Sequence, residues 1–300
     1  MFKKTLFALL VVASLLGLGY WYVFTKQSRQ SVSNAINAIP TNASIIIESK
    51  NMQDVWRKIS QTNIIWEEML ITDAVADLNA QLVMVDSVIN TQLPLVKLLE
   101  NHSLFVSAHM SGANTFDFLY SYGLPTVRDE SVVHNFLYEL NQNIAPMVST
   151  YDGVDIKSIK LKNGKDSLSY AFLDGVLMLS KRKSLVENSI RQLKSNSSLL
   201  SNPDIQRVVE TAGKNVDANV YVNYKNIPEF IKGYLSKKTI SDVEALADFA
   251  SFSGWDVDVK PNAFTFSGFT HHDNLNNTFL SLFNNQKPQE ISIAKVLPGN

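Results

Sequence analysis

Twenty consecutive uncharged residues, Thr5 to Phe24, follow Lys3-Lys4 and constrain this chain more than any other feature. At about 1.5 Å rise per residue they span the ~30 Å hydrocarbon core of a bilayer as one helix. The run reads as an uncleaved signal anchor: an N-terminal segment 1–24 with a transmembrane helix over 5–24. Lys3 and Lys4 are expected on the cytoplasmic side, and Tyr20, Trp21 and Tyr22 suit the far headgroup layer. A cleaved signal peptide is the alternative, with Gly17 and Gly19 as small residues, although Tyr20-Trp21-Tyr22 would make an odd new terminus. Acylation through a thiol is closed, because the chain has no cysteine. Lys26 and Arg29 weaken the charge asymmetry. Signal-type insertion still favours a single-pass protein of the bacterial inner membrane with its body facing the periplasm.

Composition narrows what that body does. Hydrophobic residues make up 45% and charged residues 18%, the balance of a folded chain. The formal net charge of -1 gives no basic excess, so nucleic acid is not an expected partner. The absence of cysteine removes disulfides, Cys-ligated zinc and thiol catalysis, and fits an oxidising compartment.

Periodicity organises the remainder. Residues 25–38 are polar and read as a tether, and an extracytoplasmic domain is expected over 39–295. Ile45-Ile46-Ile47 suits a central strand. Val55, Trp56 and Ile59 form a short helical stripe, and Val75, Leu78, Leu82, Val85 and Ile89 share a helix face ending near Pro94. Leu104–Met110 and Phe116–Tyr122 read as paired strands. A helix from about Asp129 to Asn143 would present Val133, Phe136, Leu137, Leu140 and Ile144. Asn163-Gly164 and Asp174-Gly175 supply the positive φ angles of two-residue hairpins. They predict a three-stranded meander of Val154–Lys162, Leu168–Leu173 and Val176–Ser180. Ser184 with Glu187, and Ser241 with Glu244, read as capping boxes, and Asn202-Pro203 as a helix start. Asn219–Tyr224 is a strand by alternation, Pro228 opens a short helix, and Trp255, Val257 and Val259 pair across Pro261-Asn262 with Phe264 and Phe266. The sum is roughly nine strands in an α+β fold. The expected form is a largely antiparallel curved sheet with helices packed on one face, behind the single N-terminal transmembrane helix.

Several stretches together resemble a bacterial membrane-anchored family, domain of unknown function 3352. They are IPTNASIIIES, YDGVDIKSIKL, YAFLDGVLMLSKRKSLVENSIRQL, SGWDVDVKPNAFTFSGF and the closing LPGN. The resemblance implies an extracytoplasmic α+β body behind one N-terminal helix, often in repeated units, and brings no catalytic residues with it. The last residues, Val296-Leu297-Pro298-Gly299-Asn300, echo Ala38-Ile39-Pro40-Thr41-Asn42. They are read as the start of a second repeat over 296–300, with the natural chain continuing past Asn300.

Motifs of known chemistry are scarce. Gly164-Lys165 and Gly213-Lys214 lack the companions of a phosphate loop, and neither G-x-S-x-G nor H-E-x-x-H occurs. His271-His272-Asp273 is the one local cluster of metal-ligating residues, and adjacent strand residues point to opposite faces, so it reads as a solvated strand end. Lys181-Arg182-Lys183, with Arg191 and Lys194, is the densest basic patch; it reads as a solvated loop, with anionic lipid as the functional alternative. Catalytic, cofactor-binding and metal-ligating residues are therefore assigned to none, and no cofactor is expected. The expected function is a non-enzymatic binding or scaffold module of the cell envelope. Its partners would be the lipid bilayer through the N-terminal helix and an envelope protein or lipid. The alternative is a lipid or lipoprotein carrier whose sheet-and-helix cavity is lined by Phe264, Phe266 and Phe269.

Overall fold

The computed structural model describes residues 34–99, 102–112, 115–126, 129–142, 144–161, 167–195, 197–232, 243–272, 279–283 and 286–287. The apolar run 5–24, Asn163-Gly164, Ser241, Asp273 and the closing echo 296–300 lie outside the described residues. Among the described residues no helix is long and apolar enough to cross a membrane.

Ten strands form one antiparallel sheet: β1 Ile45–Ser49, β2 Leu104–Gly112, β3 Thr115–Gly123, β4 Met147–Tyr151, β5 Val154–Lys160, β6 Ser167–Leu173, β7 Val176–Ser180, β8 Ala218–Asn223, β9 Phe252–Lys260 and β10 Ala263–His271. Their spatial order is β10-β9-β8-β1-β2-β3-β7-β6-β5-β4, and the sheet is open, with β10 and β4 at its edges. β1 is a central strand, paired with β2 on one side and β8 on the other, as its three isoleucines suggest. The helices are α1 Met52–Thr62, α2 Ile64–Met69, α3 Asp73–Asn90, α4 Leu93–Leu99, α5 Glu130–Leu140, α6 Lys183–Lys194, α7 Pro203–Glu210 and α8 Ile227–Lys232.

Turn chemistry explains the hairpins. Asp174 and Gly175 sit at φ 50° and 74°, the doubly positive pair that matches strand twist between β6 and β7. Asp152 and Gly153 do the same between β4 and β5, at φ 47° and 74°. The strand β4 is therefore an addition to the expected meander, announced by an Asp-Gly pair that sequence analysis left unused.

Helix ends follow side-chain capping in part. Asn202 Oδ1 accepts from the Asp204 N–H at 2.9 Å, with Pro203 in the first turn, as expected. The expected capping box at Ser184 does not form: α6 begins two residues earlier than such a cap would set it, at Lys183, its N-cap is Arg182, and no side chain caps it. The chain enters α6 directly from β7, and Ser180 Oγ instead accepts from the Arg182 N–H at 3.0 Å. On α5, Val133, Phe136 and Leu137 are buried, whereas Ile144 lies beyond the helix and is exposed. On α3, Ile89 packs into the core; Leu78 and Val85 lie outside the described side chains.

The strict two-residue alternation of strand side chains divides the sheet into two faces. On β7, Val176 and Met178 enter one cluster with α6, α7 and the 3-10 turn Ala35–Ala38, while Leu177 and Leu179 enter another with α4 and α5. Helices therefore pack on both faces, not one. Apolar residues alternate into both sides of β3, β6 and β7, so each face needs its own cover. A third cluster, built by α8 and the 3-10 turns Ala245–Asp248 and Phe279–Phe283, lies on the α4–α5 face farther along the sheet. Ala35, Ile36 and Ala38 are buried in the first cluster, so the folded body takes in these residues instead of leaving them to the tether. Ser189 Oγ of α6 fastens them through the Ala38 carbonyl at 2.5 Å.

Two glycines give a graded test of this backbone. A Cβ at Gly153 would meet only the Lys194 Nζ at 3.9 Å, so Gly153→Ala should cost about 1 kcal/mol, from the positive φ alone. A Cβ at Gly268 would stand 2.0 Å from the Gly254 carbonyl oxygen and 2.8 Å from Trp255 Cα. Gly268→Ala should cost about 3 kcal/mol in urea unfolding, because backbone must move. Equal costs at the two positions would contradict the close approach of β9 and β10.

Candidate binding face

Register places one apolar side chain on each of six neighbouring strands along a single row. Trp255 faces Val220, Val220 faces Ile47, Ile47 faces Val106, Val106 faces Tyr120, and Tyr120 faces Leu179. At ~4.8 Å between strands the row is about 24 Å long. Trp255 and Val220 pack against the third cluster, and Leu179 against the second. Among the described residues, Ile47, Val106 and Tyr120, with Phe118 two residues along β3, lie between those clusters and belong to neither, and Phe118 meets Phe116, which in turn meets Phe230 of α8. Tyr120 is 37% exposed and Phe118 is 41% exposed. Burial nevertheless pushes the Tyr120 hydroxyl pKa up. Protein atoms crowd the residue while water still reaches it, and this half-open stretch of the sheet face is the recess. The row then passes to buried Tyr170 beneath α5, whose hydroxyl meets His134 Nδ1 at 2.9 Å, and ends at Lys157. Burial pushes the Tyr170 hydroxyl up to about 12.

The opposite face is sealed in the same register. Ile46, Ser107, Leu119, Ser180 and Ser169 form its central row, and all are buried. The serines are spent locally: Ser180 Oγ donates to the Phe118 carbonyl at 2.7 Å, and Ser169 pairs with Ser158 at 2.9 Å. Glu48 is held by the Ser103 and Tyr221 hydroxyls at 2.7 and 2.8 Å.

One group on the sealed side has the layout of a nucleophile, a base and an orienting amide. Asn42 Oδ1 lies 3.0 Å from His109 Nδ1, and Ser107 Oγ lies 2.8 Å from His109 Nε2. An Nδ1–H donating to Asn42 leaves Nε2 to accept the serine proton. Both Ser107 and His109 are fully enclosed, at 0% exposure, so no substrate atom reaches them. The arrangement ties the turn that enters the body to β2. No local motif announces this partnership, because it spans β2 and a turn 67 residues away.

The sequence-level candidates separate in space. Phe264 and Phe266 share the recess face with Trp255, whereas Phe269, an odd number of residues away, lies on the other face; one cavity lined by all three is excluded by register. Phe266 is 58% exposed at the sheet edge. His271 Nε2 stands 3.0 Å from Asp204 Oδ1 and 3.4 Å from Arg207 Nη1, and its ring stacks on His272. It is thus tied to α7 instead of lying free at a solvated strand end. Among the described residues no group of three or more His, Asp or Glu is placed to hold a metal ion. The basic patch is largely offset: Arg182 pairs with Asp117 at 2.9 Å, Lys183 with Glu187 at 3.7 Å and Lys194 with Asp152 at 3.2 Å. Arg191 is held by the Tyr151 hydroxyl and Asn188 Oδ1. It lines a polar cleft with Pro40, Asn42, Asn188, Gln192 and Ser195.

The recess itself went unread in the sequence. Its signal was there: Phe116, Phe118, Tyr120 and Tyr122 recur at every second residue of β3, an aromatic stripe wider than a helix pair needs to cover.

His109 makes a pH prediction. Burial pushes its pKa down to about 4, against about 6.5 in the unfolded chain. Above pH 6.5 both states are neutral and the difference is silent. As pH falls from 6.5 to 4, the unfolded chain takes up a proton that the folded state refuses, and stability falls. Between pH 7 and 4.5 the full chain should lose about 2.5 kcal/mol more unfolding free energy than its His109→Gln variant. Parallel pH profiles would contradict a buried neutral imidazole.

Comparison with known proteins is consistent with the resemblance drawn from the sequence. No curated protein and no solved structure matches the chain. Residues 125–254, from just after β3 into β9, match the family model described as protein of unknown function, DUF3352.

Proposed function

We propose that this chain is a single-pass protein of the bacterial inner membrane. Its apolar run 5–24 would stay in the bilayer and hold the α+β body on the periplasmic side. There the body acts as a non-enzymatic binding module of the envelope, through the recess floored by Ile47, Val106, Phe118 and Tyr120. Support for the anchor is the uncharged run behind Lys3-Lys4 and the aromatic cluster Tyr20-Trp21-Tyr22. The observation that carries the binding reading is the unfilled row. The central strands are buried on one face, and on the other four contiguous apolar side chains lie outside the core clusters of the described residues. Contiguous exposed apolar surface of this kind marks interaction sites.

Incorporation of a photo-reactive benzoylphenylalanine in place of Tyr120, in intact cells, tests this reading. Illumination should yield a defined adduct from position 120. None should form from Asp174, an exposed turn residue used as control. Absence of any adduct at 120, or the same products at both positions, would contradict binding through the recess.

A further inference from the structure

The basic loop Lys181-Arg182-Lys183 keeps a property that its ion pairs do not remove. In each pair the cation is the outer member: Arg182 is 50% exposed over Asp117 at 21%, and Lys183 is 45% exposed over Glu187 at 27%. Lys181 is exposed as well. Register brings a fourth cation to the same place. Ser158 faces Ser169 and Ser169 faces Ser180 on the α6 face, so exposed Lys160, two residues further along β5, ends its strand level with Arg182 just past β7. Among the described residues, four outward cations over two partly covered acids make this corner positive, in a chain whose formal net charge is -1. The chain enters the body at the same end of the sheet. His109, which holds Asn42, is opposite Asp117, and Asp117 holds Arg182. Only β3 separates β2 from β7, so about 10 Å parts the entry turn from the basic loop.

We propose that this corner, built by Lys160, Lys181, Arg182 and Lys183, docks on the anionic headgroups of the bilayer that holds the anchor. This rests on the reading that the apolar run stays in the membrane. Reach agrees: residues 25–33, between the apolar run and the first described residue, extend about 32 Å at most. They carry Lys26 and Arg29 and no acidic residue, so nothing in the tether repels the same surface. Recognition agrees as well. Lipid phosphates accept from Lys and Arg as the carboxylates of Asp117 and Glu187 already do. Each Lys or Arg beside an anionic lipid surface favours contact about five-fold. That is weak for a free protein and sufficient for a tethered one, because the second contact is intramolecular. A soluble polyanion has no such advantage at this corner. With the α6 face turned to the bilayer, the recess on the opposite face stays open to the periplasm.

The test uses the full chain reconstituted into phosphatidylcholine vesicles, with or without phosphatidylglycerol, that carry an acceptor dye on a lipid headgroup. A donor dye is attached from outside by a water-soluble maleimide at Ser184→Cys, beside the corner, or at Thr150→Cys. Thr150 is exposed on edge strand β4 opposite Asp155, about 17 Å along the sheet from the level of Lys160. Phosphatidylglycerol should raise energy transfer from position 184 more than from position 150, and high salt should reverse the gain. Lys181→Gln together with Lys183→Gln should lower the ratio of docked to undocked body about 25-fold. Lys160→Gln, away from α6, is the second variant should the double one disturb the helix start, with a loss of about five-fold. Equal transfer with and without phosphatidylglycerol, an equal gain at both positions, or variants that keep the wild-type gain would overturn the proposal. A chain that fails to float with the vesicles would sink the anchor reading and this contact with it. A chain that floats yet shows no gain at position 184 would sink the contact alone.

Discussion

The pleat of a single ten-stranded sheet is the constraint on which the rest of this molecule depends. Because side chains alternate without a slip across β1, β3, β7, β6 and β8, each strand must satisfy two faces at once. On one face α6, α7 and the entry turn Ala35–Ala38 form a continuous cover over Ile46, Leu119, Met178 and Tyr221. On the other, the buried clusters among the described residues come in two separate pieces, α4–α5 over β7, β6 and β5, and α8 with its neighbouring 3-10 turns over β8 and β9. Between those pieces, Ile47, Val106, Phe118 and Tyr120 of β1 to β3 belong to neither cluster among the described residues, although Phe116 of β3 meets Phe230 of α8.

That asymmetry also explains where the polar groups sit. The sealed face accommodates His109, Glu48 and the serines of its central row because each finds a partner nearby, Asn42 and Ser107 for the imidazole, Ser103 and Tyr221 for the carboxylate, whereas Ser121 Oγ is buried there without a partner among the described residues. A buried polar set of this kind fixes geometry, and here it fixes where the chain enters the body. Asn42 sits in the turn just after the entry segment, and Ser189 holds the Ala38 carbonyl from α6. The point at which a tether would pull is therefore anchored to β2 and α6, on the side away from the recess.

Much of the fold was legible from local signals. Asp174-Gly175, the alternation of β6, the stripe of α5 and the Asn202-Pro203 helix start each act within a few residues, and each appears where the sequence puts it. What escaped was non-local. That helices cover both faces depends on which clusters the two sides of β7 join, and no single segment encodes that. Ser184 lost its capping role because the strand before α6 delivers the chain already aligned for the helix. The grouping of Phe269 with Phe264 and Phe266 failed on parity alone, a count that was available in the sequence once β10 was taken as unbroken. The recess combines three strands contributed by residues 45–49 and 104–123, so only the aromatic stripe of β3 hinted at it.

The central claim is that β3 presents an open side and a sealed side in alternation, and the chain's lack of cysteine makes this measurable. Single variants Phe118→Cys, Leu119→Cys and Tyr120→Cys of the full chain can be challenged with a water-soluble maleimide under native conditions and again after denaturation. Positions 118 and 120 should label in the native protein, and position 119 only once it is unfolded. Native labelling of all three alike, or of 119 in preference to its neighbours, would contradict the account.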